Sequence, residues 1–316
     1  MKRFAWIIGL ILCTVCTVQA KDRVIERPPF LAWSSNSIEV DKIVMSDTVT
    51  TVYVKAYYRP KYWIKVATGS FLKDNNGALY PIRKGVGITL DKEFWMPESG
   101  EAEFQLLFPP IPENVTSLDF SEGDFDGAYK IWGIQLNEKY FRKTPLPKDA
   151  IIHKINKKAQ LPTPELAYGK ATLTGRVLDF KKDMPASGKL HLNDPVRWLN
   201  FAEEVSINED GTFQIQTNVI TVTPATLVFP FAQISCLLAP GKESSIIINT
   251  AECTRQQSHL KKDDKPYGKK AYYSGYLAEL QQELTDNTIQ CNLVSSPGEI
   301  VDEVIGKDID GVKNYF

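Results

Sequence analysis

Val49-Thr50-Thr51-Val52-Tyr53-Val54-Lys55-Ala56-Tyr57 decides the fold class, because β-branched and aromatic residues crowd the stretch and its apolar positions recur every second residue. That period puts one face of an extended strand against a core. Upstream, Ile38, Val40 and Ile43 mark a shorter strand. Downstream, Arg59-Pro60 breaks the run, Tyr62 to Thr68 resumes it, and the Asp74-Asn75-Asn76-Gly77 cluster predicts a tight turn before Leu79 to Ile82. Ala102 to Phe108, Ser117 to Phe120 and Tyr129 to Leu136 continue the series. Short strands at this spacing predict an antiparallel, immunoglobulin-like β-sandwich over residues 21–140, with no long helix before position 140.

Residues 141–168 change character. Pro145, Pro147, Pro162 and Pro164 surround a basic run from His153 to Lys158, the composition of a linker. A second sandwich is expected over 169–252, built from Ala171 to Phe180, Lys189 to Leu192, Ala225 to Phe231, Gln233 to Leu238 and Ser244 to Thr250. Val205, Ile207, Phe213 and Ile215 flank the turn Asn208-Glu209-Asp210-Gly211 as a hairpin, and Ala239-Pro240-Gly241-Lys242 joins the last two strands. From Tyr267 the apolar residues Tyr272, Tyr276, Leu277, Leu280 and Leu284 fall three and four apart. Residues 253–316 therefore read as a helical connector, with further helical candidates at 299–305 and 308–315. The whole is mainly β: two antiparallel sandwiches followed by a C-terminal helical arm.

At the start of the chain, Lys2 and Arg3, the apolar Phe4 to Val15 and the Val18-Gln19-Ala20 site have the layout of a cleavable signal peptide over residues 1–20. The apolar run is shorter than the roughly 20 residues that span a bilayer. Export to a periplasmic or extracellular space is the expectation, with no transmembrane span in the mature chain. Charge is balanced, 37 Lys and Arg against 38 Asp and Glu, which gives no electrostatic case for a nucleic-acid partner.

An oxidising compartment makes the thiols the first candidates for chemistry. Cys236, Cys253 and Cys291 remain after cleavage, as free thiols or as one disulfide and a leftover. Cys13 and Cys16 have redox spacing but sit in the signal. His153, His191 and His259 lack the spacing of metal ligands, and Glu122 with Asp124-Phe125-Asp126-Gly127 is a fragment of an acidic loop without the later bidentate acid. Gly85-Val86-Gly87 marks a bend rather than a nucleotide-binding turn, and there is no Gly-x-Ser-x-Gly elbow. No catalytic residue, cofactor or metal is assigned. Tyr57, Tyr58, Tyr62, Trp63, Phe94 and Trp95 could line a carbohydrate platform or a partner surface; in a domain of short strands the core is the expected place for most of them. Tyr58, Tyr62, Trp63 and Trp95 are the candidate binding surface.

Three stretches resemble one family: 56–65 (AYYRPKYWIK), 87–97 (GITLDKEFWMP), and Phe120-Ser121-Glu122-Gly123-Asp124 before Ile131-Trp132-Gly133-Ile134. They are similar to the N-terminal region of secreted TlpA-like thiol-disulfide oxidoreductases of anaerobic Gram-negative bacteria. Gly175-Arg176-Val177, Asp210-Gly211-Thr212-Phe213 and Leu238-Ala239-Pro240-Gly241 resemble the small, transthyretin-like β-domain before the thioredoxin fold of such proteins. The resemblance covers most of residues 22 to 290. It implies an accessory region whose partner is a thioredoxin-fold domain or a client protein, the chemistry belonging to a Cys-x-x-Cys pair that this sequence lacks. Two alternatives stand beside it: a fragment of an active enzyme whose catalytic domain lies beyond residue 316, and a glycan-binding surface module.

Overall fold

The computed structural model describes residues 22–286, apart from 126, 144–145, 155–159, 161, 164–165 and 195–198. The signal, Cys291 and the helical candidates at 299–305 and 308–315 lie outside the described residues.

The first unit contains β1 (Arg23–Glu26), β2 (Ala32–Trp33), β3 (Ile38–Met45), β4 (Thr50–Tyr57), β5 (Trp63–Ile64) and β6 (Phe71–Asp74). It continues with β7 (Leu79–Pro81), β8 (Lys84–Val86), β9 (Phe94–Trp95), β10 (Glu101–Phe108), β11 (Ser117–Ser121) and β12 (Lys130–Gln135), and ends in the single turn α1 (Tyr140–Lys143). One sheet runs β1-β3-β4-β10-β8 and the other β2-β12-β11-β6-β7. Between them Ile43, Val52, Val54, Leu106 and Phe108 meet Leu72, Leu118, Phe120, Ile131 and Ile134 in one core. Each such side chain contributes about 1.5–3 kcal/mol by leaving water. The decisive strand behaves as its period demands, since Thr50, Val52, Val54 and Ala56 are all buried on one face. In β3 the alternation slips where the pairing with β4 shifts between Val40 and Lys42, a bulge that explains why Ile43 follows Val40 at an odd spacing.

The second unit contains β13 (Gly169–Val177), β14 (Ser187–Asp194), β15 (Leu199–Ser206), β16 (Thr212–Val219), β17 (Thr223–Phe229), β18 (Ala232–Leu238), β19 (Glu243–Ile248), α2 (Thr250–Gln257), β20 (Ala271–Gly275) and α3 (Ala278–Asp286). Its sheets run β16-β13-β19-β20 and β15-β14-β17-β18, facing each other across Leu173, Phe213, Ile246 and Ile248 on one side and Leu190, Leu192, Leu227 and Ile234 on the other. Among the described residues, the pairings of this unit are antiparallel except β13 with β19, which is parallel. At Gly175 the sheet face admits no side chain, because a Cβ would lie 2.2 Å from the Phe213 ring.

Two sequence expectations need correction. The turn at Asn208–Gly211 does not close a hairpin: β15 and β16 belong to different sheets, and only an isolated bridge joins Ile207 to Phe213. The 239–242 turn joins β18 to β19, as the sequence reading has it, and passes from one sheet to the other. Residues 253–316 are not a helical connector throughout. Tyr272 lies in β20, which pairs with β19 from Gly275↔Ser244 to Ala271↔Ile248, so the second sandwich reaches beyond residue 252. The helix expected from Tyr267 begins only at Ala278. The cause is burial on both faces: Ala271, Tyr272 and Tyr273 are all buried, and a short doubly buried strand has no period to distinguish it from helix.

The two sandwiches share a junction. Leu31, Ala32, Trp132 and Phe141 of the first unit belong to the core of the second. Glu39, 1% exposed, accepts from the Ser258 hydroxyl and from the main-chain N–H groups of His259 (2.8 Å) and Leu260 (3.4 Å). The Tyr57 ring stacks on His259 at 4.1 Å. The Thr254 hydroxyl donates to the Leu31 carbonyl at 3.2 Å, and Lys181 pairs with Asp119 at 2.5 Å. Parts of the 141–168 linker lie against the second unit, with Phe141 5.6 Å from Tyr267 and Asp149 paired to Arg176.

Candidate functional site

The sequence-selected aromatics converge at one end of the first sandwich. Strands β5 and β9 form a two-stranded ribbon outside the main sheets, in which Trp63 and Trp95 are register partners on one face. Before it, Arg59-Pro60-Lys61 turns the chain with Lys61 in the left-handed region, and the Tyr62 N–H donates to the Arg59 carbonyl at 3.2 Å. Gly100 braces this turn from the facing loop, accepting the Tyr58 N–H at 2.9 Å. Tyr58 and Tyr62 meet edge to face at 6.3 Å, and the Arg59 guanidinium lies 5.7 Å from the Tyr62 ring.

These rings are exposed: Tyr58 38%, Tyr62 54%, Trp63 45% and Trp95 61%. The core expectation fails for these four, and Tyr57 and Phe94 are half-buried. A two-stranded ribbon has no second layer to cover its outer face, so its aromatics stay in water.

The loop after β11 completes a pocket of about 430 Å³, bounded by Tyr58, Tyr62, Trp63, Phe125, Tyr129 and Glu122. Glu122 is 4% exposed, and its two oxygens accept the Ala67 N–H at 3.2 Å and the Tyr129 N–H at 3.1 Å. Burial raises its carboxyl above the ordinary carboxylate value, against the lowering effect of those N–H groups and of Lys65. The carboxylate is thus already engaged with the main chain, unlike a free arm of a calcium loop. Phe125, 49% exposed, was read only as part of an acidic loop and Tyr129 only as a strand residue, neither as part of the aromatic surface. Only the pairing of β11 with β6 brings their loop beside residues 58–65, and no local pattern announces that pairing.

The thiols are elsewhere. Cys236 and Cys253 are free and buried, at 3% and 0% exposure, and burial pushes both thiols up to about 12. At pH 7 such a thiol is ionised on the order of one part in a hundred thousand, too little for thiolate attack. Cys253 lies in α2, whose N-terminus is capped by Asn249, and its sulfur faces the Lys270 carbonyl at 3.8 Å. Cys236 borders a cavity of about 810 Å³ lined by residues of β14, β15, β17 and β18 and of the helix α3. His191 and Cys236 both line it.

The other histidines have structural partners: His153 Nε2 sits 2.7 Å from the Tyr273 carbonyl oxygen, and His259 stacks on Tyr57. Among the described residues, no group of three or more His, Cys, Asp or Glu is placed to hold a metal ion. Gly87, at φ +83, follows β8 as a bend. Among the described residues, no helix is long and apolar enough to cross a membrane.

No protein-family model and no curated protein matches the chain. Among solved structures, the type I pullulanase of Bacillus subtilis str. 168 complexed with maltose is 9% identical with a TM-score of 0.25, over 63% of this chain and 24% of that one. A pullulanase from Anoxybacillus sp. LM18-11 complexed with maltotriose is 12% identical with a TM-score of 0.23, over 60% and 24%. The Bacillus anthracis TIE protein is 10% identical with a TM-score of 0.18, over 72% and 40%. This chain spans about a quarter of the length of the pullulanases it matches. At TM-scores this low, neither fold nor function transfers from them.

Proposed function

We propose that the chain is an exported, non-catalytic interaction region that positions a thioredoxin-fold redox domain or holds a client protein. The observation that carries this reading is the cluster of Tyr58, Tyr62, Trp63 and Trp95, exposed together on a braced ribbon. Monomeric proteins rarely leave large aromatics gathered in water unless something covers them, and Tyr and Trp are the residues that dominate interface energetics. The protonated, buried state of Cys236 and Cys253 supports a supporting role rather than a redox one. The resemblance to the accessory region of TlpA-like oxidoreductases agrees with both.

The test is the affinity of the purified mature chain for the thioredoxin-fold domain of such an oxidoreductase, by calorimetry, before and after Trp63→Ala and Trp95→Ala. Loss of each exposed Trp should weaken binding by about 2 kcal/mol or more. Full affinity in the double variant would place the interface elsewhere and remove this reading.

A second reading, a glycan-binding surface, is favoured by one feature: two exposed tryptophans paired on one face offer stacking surfaces for sugar rings. Calorimetric titration with a panel of oligosaccharides separates the two.

A further inference from the structure

We propose that the pocket formed by Tyr58, Tyr62, Trp63, Phe125 and Tyr129 over Glu122 is a cation cage that receives a lysine or arginine side chain of the partner protein. This rests on the interaction reading above and names the chemistry of its contact.

The walls supply the first argument. Aromatic faces are electrically negative, and a cation within about 6 Å of a ring centroid is attracted to them, most strongly when water is excluded. One ring of the pocket already does this within the chain, since the Arg59 guanidinium stands 5.7 Å from the centre of Tyr62. The base supplies the second. Glu122 is 4% exposed, and among the described residues it has no cation within salt-bridge distance. Each of its oxygens accepts one main-chain N–H, and a carboxylate has about four acceptor sites, so two remain.

An apolar guest would satisfy the rings and leave the two remaining acceptor sites of this carboxylate unused; an anionic guest would be repelled. A cationic head on an alkyl stem satisfies both surfaces, with the stem against the rings and the head at Glu122. Two other charges bear on Glu122: Lys65, which lines the rim and is exposed, and Asp91. Lys65 therefore competes with an incoming cation, and its removal should favour the guest.

The experiment is a calorimetric titration of the purified mature chain with a capped Gly-Lys-Gly peptide and with the same peptide carrying norleucine in place of lysine. The lysine peptide should bind saturably and roughly tenfold tighter than the norleucine one. Phe125→Ala removes a half-exposed wall that holds no part of the core, and should reduce that preference severalfold. Lys65→Gln should strengthen lysine binding. Glu122→Gln should weaken it, with the fold checked by circular dichroism because Glu122 also holds two main-chain N–H groups. Equal affinity for the two peptides, absence of saturable binding, or lysine binding unchanged in Phe125→Ala overturns the cage. The titration needs no partner, so its failure removes the cage whatever the partner assay gives. Failure of the partner assay alone removes the interaction reading and not the pocket's selectivity.

Discussion

Lys261 shows how much a single residue carries at the junction of the two sandwiches. It is 1% exposed, its ammonium donates to the Arg27 carbonyl oxygen, and burial brings its pKa from 10.5 down to about 8. Between those values the unfolded chain binds more protons than the folded one, so the Lys261 contribution raises stability as pH rises from about 8 to 10.5. Cys236 and Cys253 act oppositely. Their thiols are raised from 9.0 to about 12, so their contribution is complete below 9.0 and is lost as pH rises toward 12. Comparison with Lys261→Met isolates the lysine: wild type should gain about 3 kcal/mol relative to the variant across the lysine window, measured by urea unfolding. A constant difference would mean that the ammonium is not desolvated. For the thiols, residues 21–316 carrying Cys291→Ser should show no labelling by a thiol-directed reagent at pH 8 until unfolded, and then two equivalents. The burial of Cys236 was legible from its apolar neighbours Ile234 and Leu238; that of Lys261 was not, since its cover comes from Arg27, 234 residues away in sequence.

At the scale of elements, α2 is the piece on which the junction depends. Glu252 and Arg255 form a buried pair at 2.7 Å, and Arg255 also donates to the carbonyls of Lys261, Lys262 and Asp264, fixing the loop that reaches Glu39. The Tyr267 N–H closes the same network by donating to Glu252 at 2.8 Å. Removing one partner strands the other charge, so Arg255→Met should cost about 3–5 kcal/mol, read from the midpoint of urea unfolding. Loss of the Asn249 cap in Asn249→Ala should cost about 1 kcal/mol. The elements themselves were partly readable. Strand β4 announced itself through a one-sided apolar period, and β17 and β18 through short apolar runs bounded by turn residues. Strand β20 was not readable, because Ala271, Tyr272 and Tyr273 are covered on both faces, by α3 and by the sandwich core, and the spacing of Tyr272 to Tyr276 then imitates a helix turn. Sheet membership was equally hidden, since Asn208–Gly211 is a good turn whether it joins two paired strands or passes between sheets.

Across the whole molecule, the sandwiches are joined by buried polar contacts and a shared apolar core rather than by a tether alone. The sequence signalled a proline-rich boundary, and that composition says nothing about Glu39 capping a loop more than 200 residues distant. One cooperative thermal transition is expected for residues 21–316 by calorimetry, with Glu39→Ala lowering its midpoint by leaving the buried Ser258 hydroxyl and the N–H groups of His259 and Leu260 without their acceptor, at about 2 kcal/mol. The candidate surface has the same history: the rings of Tyr58, Tyr62, Trp63 and Trp95 could be picked out by composition, but their exposure, and the arrival of Phe125 and Glu122 beside them, are products of sheet pairing. Among the described residues the thiols Cys236 and Cys253 lie in the core while Tyr58, Tyr62, Trp63 and Trp95 lie outside it, the arrangement on which the proposed holding role rests. Thiol-dependent reduction of insulin by purified residues 21–316 is the direct measurement: no turnover above the uncatalysed background is predicted, and sustained turnover would contradict a non-catalytic role.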